Sequence, residues 1–519
     1  MKIRSEKIQP LIKDIEEVIS ILVEAEVEHT KKLELVHPSF KDGAKNLIHY
    51  RAFRSLDLKK LQKRLSNYGL SILASTESHV MATLTNSLQI LKSLIQESSK
   101  LSNPKKTSIK SSMGQQKKHA KDLFGYRSKG RRVRIMVTLP TEAAFNYQLV
   151  YDLVASGMNT ARINCAHDDP KVWGLMIQNL NKAKGELHKN CKVFMDLAGP
   201  KIRTSALKAG LKVRKFKPKR NELGKVIQPA IIELVSELNH HSNNELPVDQ
   251  DWLKSLREGD SIEFKDTREK RRKLFVKSAL EYRVMTTCRK TCFIETGTLL
   301  KSISTLEESL VGELPSKEQS ILLKKGDYLK LLKDQVRGKS SLIDMQNENT
   351  DIAHISCTSP EIFNSVKTGE KVLFDDGKIT GVVREFSESE ICIEILQVKL
   401  NGSKLKADKG INFPETDLDL GGLTSKDQED LAFIVQNADG VNVSFINSTD
   451  DISELYSELE NLGASDDFGV VLKVENQKAY KNLIEILING MQRYPIGVMI
   501  ARGDLAIEAG WEKHAPNSK

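Results

Sequence analysis

No stretch of this 519-residue chain reaches the ~18 consecutive apolar residues of a membrane-crossing helix. An integral helical membrane protein is therefore excluded. The opening, Met1-Lys2-Ile3-Arg4-Ser5-Glu6, lacks the apolar centre of a secretory leader. The expectation is a cytoplasmic protein with no membrane partner. Cysteine is scarce, and the six residues (Cys165, Cys191, Cys288, Cys292, Cys357, Cys392) include no CxxC pair. Cys288 and Cys292 form CxxxC with no second half, which argues against zinc and leaves small core residues of a reducing compartment. Aromatic residues are 6% of the chain, and only Phe124 and Tyr126 fall within the basic run from Lys105 to Arg132. That is thin for a base-stacking platform. The net charge of +10 is accordingly read as suiting an enzyme for anionic phosphates, with no nucleic-acid partner.

What is present divides by rhythm. Residues 1–100 read as a helical domain. Leu11-Ile12, Ile15, Val18-Ile19 and Leu22-Val23 recur at helical spacing, as do Leu58, Leu61, Leu65, and Met81, Leu84, Leu88, Leu91. Residues 101–130, rich in Ser, Lys, Gln and Gly, read as a basic linker. Strand–helix alternation occupies 131–204, with strands at Val133–Leu139, Thr160–Asn164 and Val193–Asp196. It resumes over 409–519 with strands at Gly440–Phe445, Val470–Glu475 and Ile496–Ala501. This alternation implies parallel β/α units. Between them, 205–408 offers short β patterns and reads as an inserted β-rich domain. Its turns repeat a theme: Gly259-Asp260, Gly326-Asp327 and Gly369-Glu370 each lead into a short β-like pattern.

In a barrel of parallel units, chemistry sits at the strand ends. Those ends carry Arg162, Asn164, Asp196, Lys473, Glu475, Arg502 and Asp504. Lys473 and Glu475, two apart on one strand, share a face. Glu475 and Asp504, from neighbouring strands, can share one Mg2+, which takes few protein carboxylates. The nearby cations suit a phosphoryl group in transfer. Spacing alone leaves two readings open: a catalytic set, or ordinary ion pairs at a barrel mouth.

The motifs narrow this. Gly157-Met158-Asn159 with Ala161-Arg162-Ile163-Asn164-Cys165-Ala166-His167, then Asp196-Leu197-Ala198-Gly199-Pro200-Lys201-Ile202-Arg203-Thr204, resemble the second- and third-strand motifs of pyruvate kinases. Asp375-Asp376-Gly377 resembles the paired-Asp turn of their mobile β domain. Lys409-Gly410-Ile411-Asn412-Phe413-Pro414 resembles the return to the barrel. Leu472-Lys473-Val474-Glu475-Asn476-Gln477 and Met499-Ile500-Ala501-Arg502-Gly503-Asp504-Leu505 are similar to the catalytic and metal motifs. Their shared order over 131–204 and 365–508 is specific. The resemblance implies an α/β fold with a TIM-type (β/α)8 barrel, an inserted β-rich lid and, here, an N-terminal helical domain. It also implies phosphoryl transfer from phosphoenolpyruvate to ADP, giving pyruvate and ATP in glycolysis. Carried over by position, Lys473 and Arg162 are catalytic and contact the phosphate. Gly503 and Asp504 bind the substrate carboxylate through backbone amides at a helix N-terminus. Arg203, Lys409 and Asp376 face the nucleotide, as does His167 unless its role is structural. Glu475 and Asp504 hold Mg2+.

Four departures stand out. Of the family's monovalent-cation site the chain keeps Asn164 and Asp196 but has Ala166 and Leu197 in the other two places. Lys201 stands where K+-dependent members carry Glu, so an internal ammonium replaces K+, which is expected to be dispensable. The inserted region is longer than the usual lid. His79-Val80-Met81-Ala82-Thr83-Leu84 resembles the N-terminal domain of long, N-terminally extended members. Finally, only six β/α strands are counted before Lys519. The barrel is thus expected to be incomplete, leaving open edges, a need for an oligomer or a completing chain, or a non-catalytic relative that binds Mg2+ and nucleotide or phosphate.

Overall fold

The structure, a computed structural model, describes residues 2–70, 76–95, 109–236, 244–280, 282–317, 319–340, 342–343, 349–418 and 422–509. Two compact units result. One is Met1–Ile202, Asn364–Gly377 and Gly410–Lys519; the other is Arg203–Phe363 and Lys378–Lys409. No described helix is long and apolar enough to cross a membrane.

The first unit opens with helices α1 (Lys2–Glu28), α2 (Thr30–Leu35), α3 (Lys41–Ser55), α4 (Lys59–Ser66) and α5 (Val80–Leu94). The helical-period stripe of α1 (Ile8, Leu11, Ile12, Ile15, Val18, Leu22) is buried against Leu61 and Leu65 of α4 and Val80, Leu84, Leu88 and Leu91 of α5. Apolar side chains three and four apart share one helix face, and burying that face is what stabilises these helices. Sequence periodicity does not announce α2 and α3. They are ordered by their neighbours: Leu33, Val36, Phe40, Ala44 and Ile48 form a small core with Ile488 from the β/α region.

The stretch read as a linker contains a helix, α6 (Ile109–Phe124). Its end is a plug. Leu123 is buried with Phe194 and Val471, and Phe124, Met136 and Met499 pack around them.

Six parallel strands follow: β1 (Met136–Thr138), β2 (Thr160–Asn164), β3 (Lys192–Asp196), β4 (Gly440–Val443), β5 (Gly469–Val474) and β6 (Ile496–Ile500). They pair in chain order. These are six of a TIM barrel's eight strands, counted among the described residues. Between them run α7 (Tyr147–Ala155), α8 (Pro170–Leu187), α9 (Ser425–Asn437), α10 (Thr449–Asn461), and the pair α11 (Gln477–Lys481) and α12 (Leu483–Gly490). A last described helix, α13 (Arg502–Ala509), follows β6. Caps mark the starts. Thr424 with Asp427, and Ser448 with Asp451, form reciprocal capping boxes, and Asp169 caps α8 ahead of Pro170.

Period-2 alternation then sorts the strand residues. Ala161, Ile163, Val193, Met195, Val441, Val443, Val470, Leu472 and Val474 face the helices in one large core. The alternate positions point inward. At the floor these are Phe194 and Val471, against Leu123. Above them the inward positions turn polar: Arg162, Asp196, Asn442 and Lys473, then Asn164, Ser444 and Glu475.

Among its described residues the second unit is mainly β, with the short helix Gln250–Ser255 and a single helical turn at Pro360–Asn364. Seven strands between Ala230 and Leu310 form one sheet over a core that includes Ile232, Leu234, Trp252, Ile262, Leu274 and Leu300. A second group, Ala353–Ser356, Tyr328–Leu332, Glu390–Gln397 and Ile379–Phe386, lies side by side in that order. The three Gly-acid turns adopt one conformation, with φ of 92°, 87° and 92° at Gly259, Gly326 and Gly369. Only glycine holds this region without strain. Residues 364–377, read as part of the insertion, group with the barrel unit instead. Asp375 and Asp376 there both take positive φ.

Candidate active site

A buried ammonium organises the mouth of the strand barrel. Lys473, 7% exposed, projects inward from β5. Its Nζ lies 3.2 Å from Asp196 Oδ2 and 2.8 Å from Glu475 Oε1, and it donates to Ser444 Oγ at 2.8 Å. Ser444 Oγ in turn donates to Leu197 O at 2.7 Å. Asp196, on β3, also receives two guanidinium bonds from Arg162 on β2, at 2.8 and 2.6 Å, and the Asn442 amide at 2.6 Å. A third guanidinium bond reaches Thr138 Oγ1 at 3.0 Å. Five strands thus converge on one largely buried charge network, two cations against two carboxylates. Such charges are tolerated only when paired and hydrogen-bonded.

The environment sets the proton affinities. Burial pushes the Glu475 carboxyl upward, while Lys473 beside it and the Phe445 N–H, donating at 2.8 Å, pull it back. The bonds to Asp196 hold Arg162 above its ordinary value. Asp504, in the first turn of α13, is near enough to act electrostatically on both Glu475 and Arg162. Its carboxylate accepts from Lys201 Nζ at 2.8 Å. Glu508, one helical turn on, accepts from Asn412 Nδ2 at 2.7 Å and is raised by burial. A cleft of about 360 Å³ opens beside this second group, lined by Lys201, Asn412, Phe445, Asn476, Lys478 and Glu508 among others.

Against this geometry the comparisons with known proteins are direct. The model of the family "Pyruvate kinase, barrel domain" matches residues 130–237 and 313–517, together more than half of the chain. This chain belongs to the pyruvate kinase family. The pyruvate kinases of Staphylococcus aureus strains USA300, COL and N315 are each 33% identical to it over 180 residues, 34% of this chain. The aligned region is 29% of those relatives' own length. The family match leaves out 238–312, which falls within the seven-stranded sheet and its core. The unusual length of the insertion noted in the sequence is thus an additional β module.

The pyruvate-kinase motif residues fall into three groups. Arg162, Asp196, Lys473 and Glu475 form the buried network, and Lys201 and Asp504 pair beside it. Gly503 lies exposed in the first turn of α13, with nothing within 4 Å of where a Cβ would stand. Asn164 Oδ1 accepts from Ala166 N at 3.2 Å, closing its own loop. His167 is exposed, and its carbonyl accepts from Trp173 Nε1 at 2.9 Å. Arg203 and Lys409 belong to the other compact unit. Arg203 Nη1 lies 3.5 Å from Asp408 Oδ1, and the Lys409 backbone bridges to Thr204. Asp376, expected from the inserted domain, groups with the barrel.

Sequence reasoning passed over Ser444, Asn442, Asn412 and Glu508. Asn442 and Ser444 stand at alternate positions within Gly440–Phe445, one inward-facing register, so the period-2 rule used for Lys473 and Glu475 was available for them too.

Proposed function

We propose that this chain carries pyruvate kinase chemistry, the Mg2+-dependent transfer of a phosphoryl group from phosphoenolpyruvate to ADP, in the cytoplasm. The observation supporting this most strongly is Lys473, a buried cation at the strand mouth with Arg162 one carboxylate away. Both sit where a phosphoryl oxygen and a developing enolate need positive charge. Preorganised charge in a water-poor site is worth far more than the same charge in water. Asp196 positions both cations, and Ser444 fixes the remaining direction of the ammonium. The first-turn N–H groups of α13, at Gly503 and Asp504, suit a substrate carboxylate.

The donor set also fits Mg2+. Glu475 and Asp504 offer two carboxylates, and no group of three His, Cys, Asp or Glu suited to a metal exists among the described residues. One or two carboxylates are what Mg2+ uses when substrate phosphate supplies further oxygens. Bound there, the ion would neutralise charge on the transferring group. Arg203, Lys409, Asp376 and His167 are assigned to the nucleotide by motif position. Lys201 is assigned by motif position the role of the family's monovalent cation, of whose site Asn164 and Asp196 remain. In support, Asp196 is already satisfied by Arg162, Asn442 and Lys473, and the Lys201 ammonium supplies a fixed positive charge at Asp504.

The test is pyruvate formation from phosphoenolpyruvate and ADP with Mg2+ and no K+, beside Lys473→Met, both checked for folding by circular dichroism. Turnover by the wild type and loss in the variant are expected. A folded wild type that makes no pyruvate overturns the catalytic reading. The alternative is a non-catalytic relative binding Mg2+ and nucleotide or phosphate. That reading predicts calorimetric ADP binding without turnover. If the chain works as a homo-oligomer, activity will rise with protein concentration.

A further inference from the structure

The second compact unit brings three basic runs together that are far apart in the sequence. The first is Lys212-Val213-Arg214-Lys215-Phe216-Lys217-Pro218-Lys219-Arg220. The second is Arg268 to Lys273, and the third is Arg289-Lys290. Strand pairing sets Lys215 opposite Phe293, and the Lys215 ammonium and Arg268 guanidinium both lie over that ring, at 5.3 and 4.7 Å. The loop between Cys288 and Cys292 is held by three guanidinium groups. Arg268 and Arg272 donate to Thr291 O at 2.9 and 3.2 Å, and Arg220 donates to Arg289 O at 3.4 Å.

Arg268 and Arg272 are neutralised by buried Asp266, and Lys212 by Glu313. Lys215, Lys217, Lys219, Arg220, Arg289 and Lys290 are all exposed, and among the described residues none has a carboxylate partner. The acids within or beside these runs include Glu222, Glu269, Glu295 and Glu313, of which Glu269 pairs with Lys265 and Glu313 with Lys212.

The same surface carries an exposed apolar element. Lys219–Arg220 and Val226–Gln228 pair as a small hairpin. Leu223, in its turn, is 81% exposed, and Ile227, on its second strand, is 66% exposed. Among the described residues, the large aliphatic side chain at the tip of this cationic hairpin is left mostly uncovered. A patch that only met phosphates would have no use for it. The aromatic ring at the centre, Phe293, has cations over its face, so the patch offers no open stacking platform of the kind single-stranded nucleic acid uses.

We propose that this hairpin and the cations around it form a peripheral docking surface for an anionic lipid bilayer. Leu223 and Ile227 enter the headgroup boundary, and the lysine and arginine heads meet lipid phosphates and carboxylates. Neither signal suffices alone: a short apolar insertion is marginal, and a basic cluster is screened within a Debye length, but two together hold. The absence of a membrane-crossing helix does not bear on such a surface. The inference is independent of the catalytic reading, since none of these residues belongs to the candidate active site.

The test is co-sedimentation of the full chain with phosphatidylcholine vesicles with and without phosphatidylserine, at low and high salt. Two variants are compared, Leu223→Ser with Ile227→Ser, and Lys217→Glu with Lys219→Glu and Lys290→Glu. All five positions are exposed, so folding is expected to be unchanged. Wild type sediments only with phosphatidylserine and is released by salt. Each variant weakens binding by more than about tenfold. No sedimentation of the wild type overturns the proposal. So does binding lost in the charge variant but kept in the serine variant, because the surface is then a polyanion patch. The same holds if a labelled single-stranded RNA binds at high salt more tightly than the vesicles do.

Discussion

Glu508 shows how a single carboxyl reports its surroundings. It sits in the last turn of α13, is raised by burial, and is opposed by the Asn412 amide. Between the ordinary carboxyl value of the unfolded chain and the raised value of the folded one, the folded state binds more protons. This group's contribution to stability therefore falls as pH rises through that window. Glu508→Gln keeps an acceptor for Asn412 and removes the titration. The variant should match or exceed the wild-type Tm at neutral pH, and the difference should close as pH falls through the window. A variant less stable at every pH would show that the carboxylate itself is needed. Lys201 makes the complementary case. Its ammonium satisfies Asp504 at 2.8 Å, and if it stands in for a bound monovalent cation, Lys201→Glu should convert K+-indifferent pyruvate formation into formation that rises several-fold on adding K+. Indifference to K+ in both proteins would remove that role from Lys201.

Helix α6 shows what a sequence reading cannot see at the scale of an element. Its composition is polar and basic, with few apolar residues (Ile109, Met113, Ala120, Leu123 and Phe124), and the segment read as a linker. The reason for its order is tertiary: Leu123 seals the floor of the strand barrel. Two barrel glycines are matched to it. A Cβ at Gly469 would stand 2.8 Å from Leu123 Cδ1, and one at Gly497 2.5 Å from Leu123 Cδ2. Leu123→Ala should cost ~2–5 kcal/mol through the cavity it leaves. Gly497→Ala should cost ~1–3 kcal/mol by overpacking. The double variant should lose less than the sum, because the added methyl enters the space Leu123 vacates. Urea titrations of the four proteins decide this, and strict additivity would mean that α6 does not sit on the floor.

Elements ordered by their own pattern were legible from the sequence. The α1 stripe, the strands ending in Arg162, Asp196 and Glu475, and the three Gly-acid turns all follow from local spacing and backbone freedom. Within the candidate site, Lys473 and Glu475 were legible because they are two apart on one strand. The link from Lys473 to Asp196 was not, since it comes from parallel register between β3, β4 and β5. Helices α2 and α3 were missed for the same reason as α6, since their buried faces exist only against other elements.

At the scale of the whole molecule, two large cores among the described residues share no side chain. Trp173 is fully buried in the core between the barrel strands and their helices, while Trp252 is buried in the core of the added β module. Cores that share no residues need not unfold together, and a multi-unit chain commonly departs from two-state behaviour. The expected calorimetric trace therefore has two transitions. Ligand binding distinguishes them, because a ligand stabilises only the state it binds. With Trp511 replaced by Phe throughout, Mg2+ with phosphoenolpyruvate should raise the transition followed by Trp173 fluorescence in a Trp252→Phe variant. In the same background, the transition followed by Trp252 in a Trp173→Phe variant should stay where it is. If both tryptophans instead report one coincident transition that moves with ligand, the family's barrel and the added module behave as a single cooperative body, and changes made in the basic hairpin will be felt at Lys473.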